Sequence, residues 1–271
     1  MNNILLRALT GSVFVSLIIG ALWFGQTSAI LIISLFLVLG LIEYFNLFKE
    51  NKIIQVSTPF SVFFNLLIFT ILIGTSFDII PEQYSALLFP LLFINFLTEL
   101  WRKKENPLLN IGVMSFSIFY LVIPFYLMIA INSKSDHENP LAIGMFLLIW
   151  TNDTFAYLTG RFFGKTKLFE RISPKKTWEG TFGGTIFTII VAYLIHLWTP
   201  DYSLTFWIIS ACIISPCSIL GDLLESVFKR SLNIKDSGNI LPGHGGILDR
   251  FDAALFVVPF FYCWVTFYSY F

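Results

Sequence analysis

Asp222, Glu225 and Lys229 stand at i, i+3 and i+7 of the stretch from Gly221 to Arg230. A continuous helix would therefore carry two carboxylates and an ammonium on one face. Asp249 and Asp252 stand at i and i+3 where the last apolar run begins. Between these groups lie Lys235-Asp236 and the glycine-rich Leu241-Pro242-Gly243-His244-Gly245-Gly246, where backbone N–H groups can approach a ligand closely. Magnesium is a hard ion, usually held by one or two carboxylates with water and phosphate oxygens. Asp222 and Asp249, each at the membrane end of its apolar run, are the pair that suits it. Ordinary ion pairs on a solvated helix would account for the acidic stripe equally well. His244 is assigned to a phosphate contact, against metal ligation or turn packing.

A second polar stretch runs from Asn152 to Glu179. Asp153 interrupts an apolar run, Ile149-Trp150-Thr151-Asn152-Asp153-Thr154, where an ionisable group costs about 2.5–3.5 kcal/mol. Such a residue has either a chemical task or a hydrogen-bonding neighbour helix. Gly164-Lys165-Thr166 suggests a P-loop, but only three residues separate Gly160 from Gly164 where that motif needs four. The segment also follows an apolar helix rather than a strand, so an ATP-type loop is excluded. Ser173-Pro174 predicts a helix start, with Ser at the N-cap and Pro at the first helical position. Lys175 and Lys176 would then oppose the positive end of the helix dipole unless an anion is bound. Free N–H groups, both ammonium groups and the Thr177 hydroxyl would together hold a phosphate. The alternative is that the lysines mark topology and touch lipid headgroups.

The elements that must position these groups are membrane helices. The chain is 271 residues long, 56% hydrophobic and 13% charged, with a mean hydropathy of +0.78, whereas a soluble domain carries roughly 25% charged residues. A transmembrane helix needs about 20 mostly apolar residues, which predicts nine spans at 6–24, 27–48, 58–80, 84–101, 109–131, 140–159, 180–199, 203–223 and 251–270. The predicted fold is thus all-α, a polytopic membrane helix bundle. The first run leads straight into the second with no small-residue cleavage site, so it is expected to be a retained helix rather than a signal peptide. With the N-terminus in the cytoplasm, sixteen of the seventeen Lys and Arg fall in internal segments, and only Lys134 lies outside. Net charge is zero, so no basic field invites nucleic acid. Cys212, Cys217 and Cys263 lie in apolar runs without metal-ligand spacing and are expected to be small buried hydrophobes.

The run Ser226-x-x-Lys229-Arg230-x(4)-Lys235-Asp236-x-Gly238-x-x-Leu241-Pro242-x-His244-Gly245-Gly246-x-x-Asp249-Arg250-x-Asp252 resembles the signature of the phosphatidate cytidylyltransferases, or CDP-diacylglycerol synthases. Asp153-x-x-Ala156-Tyr157-x-x-Gly160-Arg161-x-x-Gly164 and Ile172-Ser173-Pro174-Lys175-Lys176-Thr177-Trp178-Glu179-Gly180 resemble that family's second block. The likeness covers roughly residues 150–255. It implies transfer of CMP from CTP to phosphatidate, giving CDP-diacylglycerol and diphosphate. It further implies magnesium, leaves room for a second cation such as K+, and implies a homodimer in the cell membrane with its site on the cytoplasmic side. By the resemblance, Asp222 and Asp249 are metal ligands, and Lys229, Arg230 and Asp252 join them as catalytic residues. Asp153, Arg161, Ser173, Lys175, Lys176, Thr177, Lys235, Asp236, His244 and Arg250 would then bind substrate. Residues 1–135 are expected to form a lipid-facing scaffold and 136–271 the catalytic part. The rival readings are a CTP-dependent kinase or cytidylyltransferase acting on another lipid and, from Glu43, Glu99 and Asp153 within the apolar runs, a transporter.

Overall fold

A computed structural model describes residues 3–49, 51, 53–135, 140–199, 201–238, 240 and 245–268, with side chains from residue 9 onward. The chain forms helices α1 (Asn3–Trp23), α2 (Gln26–Asn46), α3 (Thr58–Ser76), α4 (Leu88–Arg102), α5 (Pro107–Ser117), α6 (Ile123–Ser133) and α7 (Leu141–Phe163). A hairpin of β1 (Lys167–Phe169) and β2 (Ser173–Thr177) follows, and then α8 (Trp178–Trp198), α9 (Leu204–Ser231) and α10 (Leu248–Tyr268). A 3-10 segment, Glu82–Leu87, leads into α4, and a π-helical turn, Ile118–Val122, joins α5 to α6. Pro124 lies just beyond that turn. It has no N–H to donate, which favours the wider ladder before it.

Eight helical units among the described residues are long and apolar enough to cross a bilayer, α5 and α6 counting as one unit. Helix α1 is 21 residues long and apolar over the shorter stretch Leu9–Trp23, where the sequence predicts the first of nine spans. The protein is a polytopic, almost wholly helical membrane protein, as the apolar runs predict. Its outer faces confirm the solvent: Phe182, Ile186, Ile190 and Leu194 form an exposed stripe along α8, an apolar surface too continuous for water. Inside, Phe14, Phe36 and Phe125 close around Phe251 with ring centroids 5.0–5.4 Å away, the edge and tilted geometries that aromatic quadrupoles favour.

One expectation needs correction here. Of the three cysteines, only Cys217 is buried, while Cys212 and Cys263 are exposed. An apolar side chain facing lipid loses nothing relative to the core, since the surrounding acyl chains are as apolar as leucine. Beyond the eighth predicted span, which ends at residue 223, the helix continues as the spacing of Asp222, Glu225 and Lys229 allows, and α9 runs to Ser231. Its 28 residues rise roughly 42 Å, beyond the hydrocarbon thickness of about 30 Å, so its last turns stand clear of the bilayer core.

The bundle has two chemically different ends. At one, Glu43 of α2 meets the start of α10, and Lys176 of β2 meets Asp222 of α9. At this end too, Glu99 is buried with Arg102 and Asn110 beside it, and Arg102 also donates to the Gln55 carbonyl, an inter-helix polar cluster. At the other, Trp23 stacks on Trp198, Gln26 bonds to α6, and Lys134 donates to Thr266. The one cation assigned to the outer side thus lies at the end away from the acidic groups of α9 and α10.

Candidate active site

Small residues bring the helices of the site together. A Cβ on Gly180 would lie 2.7 Å from the Ala156 carbonyl oxygen, and one on Gly184 would lie 2.9 Å from the Ala156 Cβ, so α8 approaches α7 at backbone distance. Gly221 does the same between α9 and α10, where an added Cβ would lie 2.8 Å from the Asp252 carbonyl. The hairpin closes the mouth. Glu179 accepts from the backbone N–H groups of Lys165 and Thr166, and this ties the Gly-Lys-Thr turn to the first turn of α8.

A cavity of about 730 Å³ opens among α7, the hairpin, α8, α9 and α10. Asp153, Asp222, Asp249 and Asp252 line it, and so do Arg161, Lys167, Lys175, Lys176 and Arg250. Ser173 and Thr177 complete the expected residues on its wall. Thus residues from both sequence blocks, apart in the chain, face one space.

The hydrogen bonds within it are specific. Lys176 Nζ lies 2.6 Å from Asp222 Oδ2 and donates to the Ile219 carbonyl at 3.2 Å. Lys229 Nζ sits between Asp249 Oδ1, at 2.6 Å, and Glu225 Oε2, at 3.2 Å. The other Asp249 oxygen accepts from Gly246 N at 2.8 Å and Ser237 N at 3.0 Å. Asp153 accepts from Ser218 Oγ at 2.8 Å. Beside it, Asn152 accepts from Ser215 Oγ at 2.7 Å. The Glu225 Oε1 atom is buried with no hydrogen-bond partner.

The helix start expected at Ser173 is not there. Ser173–Thr177 is strand β2, paired with β1, and Thr177 is the N-cap of α8, its hydroxyl accepting from Gly180 N at 3.2 Å. A residue before proline is biased to extended backbone, so Ser-Pro can open a strand as readily as a helix. Lys175 and Lys176 therefore lie ahead of the α8 N-terminus, not in its first turn. Lys229 reaches the cavity's edge only through Asp249. Arg230 is exposed and donates to the Ile234 carbonyl, and Lys235 and Asp236 are exposed away from the cavity lining. His244 lies outside the described residues.

Several groups at the cavity escaped the sequence reading. Lys167 and Tyr157 both line the wall, though by residue type alone one is a topology charge and the other a motif position. Asn152, Ser215 and Ser218 form a polar seam from α7 to α9. Ser215, Ser218 and Asp222 fall at i, i+3 and i+7, a spacing that could have revealed the seam.

Comparison with known proteins decides the family. The profile described as "Cytidylyltransferase family" matches residues 5–268. The chain belongs to that family. It is 36% identical over 256 residues to a protein of Staphylococcus haemolyticus named phosphatidate cytidylyltransferase, covering 93% of this chain and 95% of that one. A Bacillus subtilis protein of the same name is 33% identical over 237 residues, 85% of this chain and 87% of its own. A Staphylococcus aureus counterpart is 43% identical over 159 residues, 58% of this chain and 60% of its own. The family's chemistry makes this chain an enzyme, a nucleotidyltransferase. Acidic and basic side chains gathered in one cavity at an end of a membrane bundle suit such a reaction.

Does the site fit magnesium? Its donors are carboxylate oxygens, the type a hard cation selects, and Asp222 and Asp249 line the same cavity. Among the described residues no three acidic, histidine or cysteine groups form a ready-made cation cage. Two carboxylates completed by water and phosphate oxygens is the mode magnesium ordinarily takes; Asp222 and Asp249 match it in donor type, each paired with a lysine in this structure.

Proposed function

We propose that this enzyme transfers the cytidylyl group of CTP to phosphatidate, releasing diphosphate and forming CDP-diacylglycerol. The observation that carries the reading is the cavity itself, where four aspartates and five cationic side chains face one space between membrane helices. A soluble trianionic or tetraanionic nucleotide needs the cations, and a lipid substrate needs the apolar helix faces beside them.

The phosphate monoester of the lipid has a second pKa around 6 and is largely dianionic at neutral pH. One of its oxygens forms the new bond to the α-phosphorus of CTP. The bond to the β-phosphate oxygen breaks, and diphosphate leaves with the electron pair. No strong general base is required, so catalysis is chiefly positioning and charge neutralisation. Lys175, Lys176, Arg161 and Arg250 are the groups we assign to the phosphates, with Lys167 at the hairpin. Thr177 and Ser173 shape the wall from β2. Asp153, oriented by Ser218, and Asp252 form the acidic side. Lys229 orients Asp249, with Arg230, Lys235, Asp236 and His244 on the adjoining segment. Magnesium, when held by Asp222 and Asp249, would supply neutralisation of the triphosphate charge. Residues 136–271 carry this site in our reading, with 1–135 as its scaffold.

The distribution of Lys and Arg supports a site facing the cytoplasm, where CTP is made available, and we include a homodimer in the proposal. The deciding assay uses purified protein in detergent with phosphatidate and CTP labelled at the α-phosphorus. Label entering the lipid with release of diphosphate is expected. Lipid label from γ-labelled CTP instead would indicate a CTP-dependent kinase, and no transfer from either would overturn the reading. Titrating MgCl2 and KCl separately in this assay distinguishes a need for one cation from a need for two. Cross-linking in native membranes that yields only monomer would remove the dimer.

A further inference from the structure

Glu43 lies on α2, 194 residues from one of its hydrogen-bond partners, and it is only 4% exposed. A carboxylate so buried is expected to have a cation beside it. Among the described residues Glu43 forms no ion pair. Its oxygens instead accept from Ile247 N at 2.8 Å, from Leu248 N at 3.1 Å and from the Ser237 hydroxyl. The glycines around it leave room for no other group, since a Cβ on Gly246 would overlap the carboxylate and one on Gly238 would come within 2.8 Å of it.

Those partners are the ones that hold Asp249. Ser237 gives its hydroxyl to Glu43 and its backbone N–H to Asp249. Gly246 gives its N–H to Asp249 and precedes Ile247, whose N–H goes to Glu43. Asp249 is in the first turn of the helix whose leading N–H groups Glu43 satisfies. Both carboxylates therefore grip a single pair of strands of backbone, one from the scaffold side and one from the cavity side.

We propose that Glu43 is a positioning residue for cytidylyl transfer, holding the segments at Ser237 and Gly246–Leu248 so that the Asp249 carboxylate presents to the cavity. It touches neither substrate and acts only through these segments. The inference rests on the reading of Asp249 as a site residue. Glutamine at position 43 keeps the volume but replaces one acceptor by an NH2 group, which would face N–H or O–H donors. Aspartate keeps the charge on a shorter stem.

The test uses the full chain in detergent or nanodiscs. Glu43→Gln is expected to lower kcat about 10-fold to 100-fold with KM for CTP and phosphatidate within about twofold, because small misplacements of reacting groups act on the chemical step. Glu43→Asp should recover a substantial part of that loss. Hydrogen exchange without substrate should show faster exchange in peptides covering Ser237 and Gly246–Leu248 for Glu43→Gln. A kcat within twofold of the parent overturns the proposal. So does a loss of kcat accompanied by unaltered exchange at those amides, or one in which aspartate is no better than glutamine. If Glu43→Gln fails to fold, Ser237→Ala removes one link alone and should still lower kcat severalfold at unchanged KM; unchanged kcat there overturns the idea. Absence of transfer by the parent protein would count against the substrate assignment, while the exchange measurement would still test the link to Asp249.

Discussion

Lys176 and Asp222 face each other at 2.6 Å across the mouth of the cavity, joining strand β2 to helix α9. The Asp222 side chain is 41% exposed, and ion pairs so open to solvent contribute at most about 1 kcal/mol to stability. The pair is thus cheap to open, and an incoming phosphate can take the ammonium. Lys176→Ala is expected to reduce kcat/KM by about 10-fold to 100-fold with the unfolding temperature little changed, which steady-state kinetics and thermal unfolding in detergent would check. An unaltered rate at low substrate would return the lysine to a topology signal.

Asp249 is in a different position, its side chain only 8% exposed and bonded to Lys229, Ser237 and Gly246. Asp249→Asn keeps the shape and removes the charge. Turnover is expected to fall at least about 100-fold while the protein remains inserted and extractable as a folded species. Near-parental activity at saturating magnesium would remove Asp249 from the proposed metal pair.

The seam between α7 and α8 has no room for a larger residue. Gly184→Val should destabilise the protein by about 1–3 kcal/mol through overpacking against Ala156 and Asn152. Differential scanning of the detergent-solubilised variant would register it as a lowered unfolding temperature. An unchanged transition would mean that the two helices part more easily than their approach implies.

With α1 as a ninth span beside the eight long apolar helical units, the first and last helices place their outer termini on opposite sides of the membrane. A reporter that is active only outside the cytoplasm, fused after Phe271, should therefore be active, and one that matures only in the cytoplasm should be silent. The reverse result would break both the helix count and the cytoplasmic placement of the cavity.

The helices were legible because each apolar run is long and the polar breaks between them are short. The last turns of α9, from Asp222 to Arg230, are an amphipathic continuation legible from the spacing of their charged residues and not from hydropathy. The strand at Ser173 is not legible in the sequence because proline fits the opening of either element, and what selects the strand is pairing with Lys167–Phe169, a tertiary fact. Asp222, Asp249 and the paired lysines could be named from residue type and spacing. Glu43 could not be given a partner, because the groups it satisfies are backbone N–H groups far along the chain, which carry no residue-type signature.

Strands β1 and β2 supply Lys167, Ser173, Lys175, Lys176 and Thr177 to the cavity wall. These five stand on a short segment that has no hydrophobic-thickness requirement to meet, unlike every helix around it. Substitutions at Lys167, Ser173 and Lys175, unlike those at Thr177, which caps α8, can therefore retune charge and shape at the pocket while leaving the bilayer-inserted framework alone, which separates the evolution of substrate handling from that of membrane insertion.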